Sequence, residues 1–182
     1  MTRFISQAQK DCYKQCARIM VAVFGDAVQA SMDAPEFSVA AGSARVDVIV
    51  TPWRDTAIVA AMAVVVQKPA IDYDLRAFLL AENLQFDLGG FGINQQGDVV
   101  FKHATIGTAL SEDSLRASVQ TVMLIADQYD DRIQARWGGQ RATDSRPSRP
   151  QPHRRQLRVK MQTGADAVDE TVKYDSDEIG ER

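Results

Sequence analysis

The sequence predicts an α+β fold in which helices pack on an antiparallel sheet, in the order helix, three strands, helix, two strands, helix. Apolar residues recur at helical spacing in three segments of the chain. Val- and Ala-rich runs bounded by turn residues follow the first segment, and a glycine-rich stretch precedes the third. Of 182 residues, 45% are apolar, which is enough for one ordinary domain with a sizeable core.

The first helix and the three strands that follow it are predicted from the first 66 residues. The helix begins near Ala8, and it ends at Gly25 or at residues 33–35. Strands are predicted at residues 37–41, 44–50 and 56–66, with turns at residues 42–43 and 52–55, so the three strands form hairpins. The helical rhythm is carried by Ala8, Cys12, Cys16, Ile19, Val23 and Ala27.

A short second helix at residues 72–84 is predicted to begin at Asp72, which is a good N-cap residue. A hairpin follows over FDLGGFGINQQGDVVFKHA, residues 86–104, with Gly97 in a left-handed turn. A bulge at Gly89 and Gly90 is predicted, because it would place four apolar side chains on one face of the sheet. These side chains are Phe86, Leu88, Phe91 and Ile93.

The third helix is predicted at residues 111–136. Ser111 stands at the N-cap position, and Glu112 and Asp113 lie in the first turn, where negative charge suits the helix dipole. One face of this helix is predicted to be core, because apolar residues recur every three or four positions over about six turns. They are Leu115, Val119, Val122, Ala126, Tyr129, Ile133 and Trp137.

The composition changes after residue 139, which divides the chain into a folded domain at 1–139 and a mixed-charge tail at 140–182. The tail has nine Lys or Arg and eight Asp or Glu, and three prolines fall within six positions, so disorder is predicted. Residues 154–161 interleave basic and apolar side chains, and such a segment can dock as an added strand or meet an acidic partner. A solvated tail is the alternative.

Charge and hydropathy restrict the location and the partners. The net charge of -3 disfavours general binding of nucleic acid, and the tail has no Phe or Trp to stack on bases. The longest apolar run, residues 57–66, is about half of what a membrane helix needs, and the N-terminus lacks a secretory pattern. A cytoplasmic protein without membrane attachment is expected.

No catalytic, cofactor-binding or metal site is predicted. The glycine-rich stretch has Gln95 where a dinucleotide fingerprint needs its third glycine, and it lacks the Lys-Ser/Thr ending of a phosphate loop. His103 is predicted to be a hydrogen-bonded strand residue, and Cys12 and Cys16 to be reduced core thiols. The acidic cluster Asp127, Asp130 and Asp131 is predicted to be a solvated helix face.

The strand at residues 56–66 carries the main indication of a binding surface, because both of its faces are apolar. An antiparallel sheet usually exposes one polar face to water. Helices of the same chain, a second subunit or a bound peptide could each cover the second face. The predicted contact surface consists of Trp53 in the preceding turn and one set of alternate strand residues: Val59, Ala61, Ala63 and Val65.

Three segments carry a family pattern: residues 91–101, the helix that ends with Asp127-Gln128-Tyr129-Asp130-Asp131, and Arg136-Trp137-Gly138-Gly139. In these segments the chain resembles the YbjN family, particularly its cyanobacterial members, within the type III secretion chaperone-like superfamily. The resemblance covers roughly residues 4–140. The resemblance implies the helix and strand order derived above and a non-enzymatic homodimer that binds extended segments of client proteins.

The predicted function is therefore that of a peptide-binding, chaperone-like protein whose client the sequence does not identify. The alternative is a regulatory or stress-related adaptor that recruits a partner through the tail. Deletion of residues 140–182 separates the two hypotheses, because the chaperone should still bind its client and the adaptor should not.

Overall fold

Eight strands form one antiparallel sheet in the computed structural model, which describes residues 3–41, 44–142 and 154–156. The helices are α1 (Gln7–Phe24), α2 (Tyr73–Asn83) and α3 (Glu112–Trp137). The strands are β1 (Val28–Ser31), β2 (Glu36–Ala41), β3 (Ala44–Trp53), β4 (Thr56–Gln67), β5 (Gly90–Ile93), β6 (Val99–Ile106), β7 (Gln140–Arg141) and β8 (Arg154–Gln156). Their order in the sheet is β5-β6-β4-β3-β2-β1-β8, and β7 pairs with the end of β4. The predicted α+β class is confirmed.

Four strands, rather than the predicted three, lie between α1 and α2. The additional strand is β1, which pairs antiparallel with β2 in a register that places Val28 opposite Val39 and Ala30 opposite Phe37. The side chains of Val28 and Ala30 are buried. Because β1 has only four residues, its alternation is too short to distinguish it from a loop, and its pairing with β2 determines its conformation.

The helices begin at side-chain caps. The Asp72 carboxylate accepts a hydrogen bond from the Leu75 N–H at 2.7 Å, and the Ser111 hydroxyl accepts one from Ser114 N–H at 3.1 Å. Both predicted caps are confirmed. A Ser6 hydroxyl caps α1 in the same way through the Gln9 N–H.

The predicted bulge at Gly89 and Gly90 is wrong. The β5–β6 ladder is regular from Gly90, and the irregularity lies in the β4–β6 ladder between Val64 and Val66. Gly89 has a φ of 83° and a Cβ there would lie 2.7 Å from the Lys102 carbonyl oxygen, so this glycine lets the chain enter β5 beside β6. Leu88 is consequently exposed and does not share a buried face with Phe91.

The core lies between one face of the sheet and the helices α1 and α3. Cys16 and Met20 of α1, and Leu115 and Val119 of α3, belong to the same buried cluster as the central strands. Aromatic rings attach α2 and β5 to α3, with ring centroids 5.0–6.4 Å apart among Phe78, Phe86, Phe91, Phe101, Tyr129 and Trp137.

Two short parts of the predicted tail belong to the sheet. β7 pairs with Val66 and Gln67 of β4, and β8 pairs with β1. The prediction of disorder for residues 143–153 and 157–182 lies outside the described residues.

Candidate protein-binding face

The sheet has a second face that α1 and α3 do not cover, and its centre lies on β4. Ile58, Met62 and Val64 alternate with the core residues of this strand and remain partly exposed. Cross-strand pairing places Ile106 opposite Ile58, and Ile49 beside them. We define the open face as Ile49, Ile58, Met62, Val64, Ala104 and Ile106.

Trp53 extends the open face at the end of the β3–β4 hairpin. It pairs with Thr56, two positions before Ile58, and its side chain is 49% exposed. The turn depends on Arg54 in the left-handed region, with a φ of 51°, and the Arg54 guanidinium lies 5.8 Å from the centre of the indole ring. An exposed aromatic residue beside an apolar strand face is typical of a contact surface.

Charged residues flank Met62 on both neighbouring strands. Met62 pairs with Asp47 on β3 and with Lys102 on β6. Asp47 also forms an ion pair with Arg45 at 3.2 Å. The open face thus combines an apolar centre with charges of both signs, which suits an amphipathic segment of a protein better than a polyanion.

The predicted contact residues Val59, Ala61, Ala63 and Val65 lie on the opposite face and are not available as a surface. They are between 1% and 2% exposed and belong to the core beneath the chain's own helices. Both faces of β4 are apolar, so the alternation alone does not identify the covered one. Of the predicted set, only Trp53 borders the open face.

The exposed residues of β4 could have been identified from the hairpin. A two-residue turn at Arg54 and Asp55 fixes the register and pairs Asp47 with Met62. A charged residue in the middle of a strand usually faces water. Met62 shares its face with Asp47, and Ile58 and Val64 share that face with Met62 through the alternation of the strand.

The residues with reactive side chains are used in packing. His103 Nδ1 lies 2.5 Å from the Ser118 hydroxyl, which donates in turn to the Ser114 carbonyl at 2.8 Å, so the predicted hydrogen-bonded histidine is confirmed. Burial lowers the pKa of His103. Cys12 and Cys16 are buried free thiols, and burial raises the pKa of each.

The acidic cluster on α3 is solvated at two of its three residues, whereas Asp130 is half-buried and burial raises the pKa of its carboxyl. Asp127 and Asp131 are exposed, and the Asp131 carboxylate pairs with Arg141 at 2.8 Å. Within residues 3–41, 44–142 and 154–156, no three His, Cys, Asp or Glu side chains are grouped closely enough to hold a metal ion. None of the described helices combines the length and hydropathy required to cross a bilayer.

A partly exposed apolar sheet face with charges of both signs beside its central methionine is typical of a protein-binding domain. The chain belongs to the family of T3SS (YopN, CesT) and YbjN peptide-binding chaperones, whose model, TY-Chap1, matches residues 11–145. The predicted membership of the chaperone-like superfamily is therefore confirmed, as is the predicted peptide-binding, chaperone-like class.

The solved structures that are similar to this chain include two protein complexes. A chain in the crystal structure of the ExsC–ExsE complex matches with a TM-score of 0.51 and 13% identity, over 66% of this chain and 95% of that one. A chain in the HopA1–SchA chaperone–effector complex matches with a TM-score of 0.47 and 12% identity, over 67% of this chain and 96% of that one. Comparison with curated proteins gives no significant match. The ExsC–ExsE likeness supports the fold alone.

Proposed function

We propose that this chain is a non-enzymatic peptide-binding chaperone of the YbjN type found in cyanobacteria, and that it holds a segment of a client protein on the open face. The observation that carries the proposal is the partial exposure of Ile58, Met62 and Val64 in the middle of the sheet. In an antiparallel sheet, a strand face that is exposed to water normally carries polar side chains. A client segment would remove these side chains from water.

The chemistry of the open face suits a protein client. Its apolar centre can bury side chains of an extended or helical segment, while Asp47 and Lys102 can pair with charges of either sign. Nucleic acid is a poor fit, because Asp47 lies at the centre of this face and the chain has a net charge of -3. A chain with this net charge also has little electrostatic attraction to an anionic membrane surface, and we propose that the protein works in the cytoplasm.

The positions of the reactive side chains support a non-enzymatic role. His103 pairs with the core residue Ala61 and contacts Ser118 of α3, and Cys16 is buried in the core, so both lie on the opposite side of the sheet from the open face. A general base must reach the proton that it removes, and burial leaves His103 without access to a bound client.

We also propose a homodimer, whose support is an apolar stripe on α2. Tyr73, Leu80 and Leu84 recur at helical spacing on the outer side of this helix, and they are 82%, 69% and 85% exposed. A second copy could cover this stripe and leave the open face free for the client. Sedimentation velocity should give a dimer for the wild type and a monomer for Leu80→Lys, with Leu124→Lys on α3 as the exposed-leucine control. A wild-type monomer at high micromolar concentration contradicts the dimer.

The test of client binding changes only the open face. The double variant Ile58→Thr and Met62→Thr keeps residues that favour strands and removes the exposed apolar groups. The control is Leu124→Thr, because Leu124 is an exposed apolar residue on α3, which does not border the open face. Each protein is used to capture partners from lysate of the source cells, and one captured partner is then purified and titrated against all three.

The expected result is that the partner binds the wild type and the control with similar affinity, and the double variant at least about tenfold more weakly. Equal affinity for all three proteins would exclude the open face as the binding surface. Circular dichroism and urea unfolding establish that the double variant is folded before its affinity is interpreted.

A further inference from the structure

The two outer edges of the main strand order are closed by different means. At the β5 edge, the side-chain amide of Asn83 accepts a hydrogen bond from Phe91 N–H at 2.6 Å and donates one to the Phe91 carbonyl at 3.2 Å. This amide therefore takes the place that a neighbouring strand would occupy. Because Asn83 is part of α2, this closure is built into the folded domain.

At the opposite edge, β1 is closed by a strand from the tail. Gln156, Arg155 and Arg154 pair antiparallel with Gln29, Ala30 and Ser31. β1 and β2 form the hairpin that carries this edge, so the edge itself exists without the tail. An edge strand presents unpaired backbone groups to any extended chain, and the tail is the chain that takes them here.

The tail can reach β1 from its own domain. β7 ends at Arg141 beside the end of β4, and β8 begins at Arg154, so residues 142–153 connect them. β8 lies four strand positions from β4, which is about 20 Å at about 4.8 Å per position, and a chain of this length can span up to about 40 Å. Pairing within one molecule therefore needs no unusual extension of the connecting residues.

The length of β8 suits a replaceable occupant. It has three residues, and so short a ladder holds only a few backbone hydrogen bonds. A segment that also paired with Val28 would form a longer ladder and would compete with β8 for this edge.

We propose that the β1 edge is a second strand-accepting site, and that Arg154–Gln156 is its intramolecular occupant, which an incoming client strand must displace. The intramolecular pairing stands on the register alone. Its displacement by a client rests on the peptide-binding function proposed above. The tail therefore raises the affinity that a client strand needs to occupy this edge, because a tethered strand competes at a high effective concentration.

Hydrogen exchange in the full chain tests the pairing. Arg155→Pro removes an N–H and fixes the backbone of the middle residue of β8, so it should release β8 from the edge. Thr171→Pro places the same change elsewhere in the tail and is the matched control. Exchange at Gln29–Ser31 should become at least about tenfold faster in Arg155→Pro only, while β5 and β6 retain their protection.

Unchanged exchange at β1 in Arg155→Pro would overturn the proposal. Protection that rises with protein concentration would also overturn it, because the pairing would then belong to a second copy. Retained protection in β5 and β6 shows that the variant is folded. A loss of protection confined to β1 then means that β8 has left this edge.

Displacement is tested with a labelled synthetic peptide of residues 150–162 as the probe. It should bind the full-length Arg155→Pro protein at least about tenfold more tightly than it binds wild type or Thr171→Pro, because only that variant has a vacant edge. Equal binding to all three proteins contradicts competition at β1. The open-face variant should bind this probe like wild type, so failure of the client proposal and failure of this one give different results.

Discussion

The two faces of β4 are almost equally apolar, yet α1 and α3 cover only one of them. Val59 and Ala61 lie in the core with less than 3% exposure, while Ile58 and Met62, the residues next to them, remain partly exposed. The hydropathy of a strand therefore does not by itself identify the face that the chain's own helices cover. An apolar face that stays partly exposed is instead the kind of surface that marks an interaction site.

The largest expected effect comes from placing the same charge on each face. Val59→Asp buries a carboxylate in the core and should cost more than about 3 kcal/mol of the free energy of unfolding. Val64→Asp places the carboxylate on the open face and should cost about 1 kcal/mol, which reflects the low strand propensity of Asp. Urea unfolding followed by circular dichroism measures both values.

Equal costs for these two variants would contradict the comparison, since they would mean that both faces are covered in the monomer. If Val64→Asp is folded and does not bind the client, the result supports the open face as the client site.

An intermediate effect is expected from His103, which lies on the core face of β6. Burial lowers its pKa in the folded state, so the unfolded chain takes up the proton first, near pH 6.5. The stability associated with the neutral ring is complete above about pH 6.5 and is lost as the pH falls toward the lower folded pKa. Unfolding free energies measured from pH 7.5 to 5 should fall more steeply for wild type than for His103→Gln. Parallel pH profiles would show that the ring is not desolvated.

The smallest effect on stability is expected from Trp53. This side chain is half exposed beside the open face, whereas Trp137 is buried at the end of α3. Trp53→Phe should change the free energy of unfolding by less than about 1 kcal/mol. It should also remove the fluorescence that acrylamide quenches readily, because Trp137 is shielded. Client binding should protect Trp53 from the quencher, and unchanged quenching with bound client would place the client elsewhere.

The helices and their caps could be predicted from the sequence because they depend on local interactions. Asp72 and Ser111 accept hydrogen bonds from N–H groups three residues later. The preference of Asp and Ser for the N-cap position predicts these bonds without any tertiary structure. The hairpin turn at Gly97 is local in the same sense, with a φ of 82° that suits glycine.

The features that escaped prediction depend on contacts between distant segments. β1 acquires its conformation from pairing with β2, and the covered face of β4 is determined by where α1 and α3 pack. Gly89 is required by the Lys102 carbonyl on the neighbouring strand, whereas its spacing in the sequence is equally consistent with a bulge. In each case the local pattern allows two arrangements, and packing selects one.

Cys16 can serve as an internal probe of how often the core opens. Its thiol is fully buried beneath α1, so a thiol reagent in water can modify it only when that helix separates from the sheet. The rate of modification by excess reagent therefore measures how often the helix detaches. A client that occupied only the open face would leave this rate nearly unchanged, whereas one that required the helix to move would accelerate it.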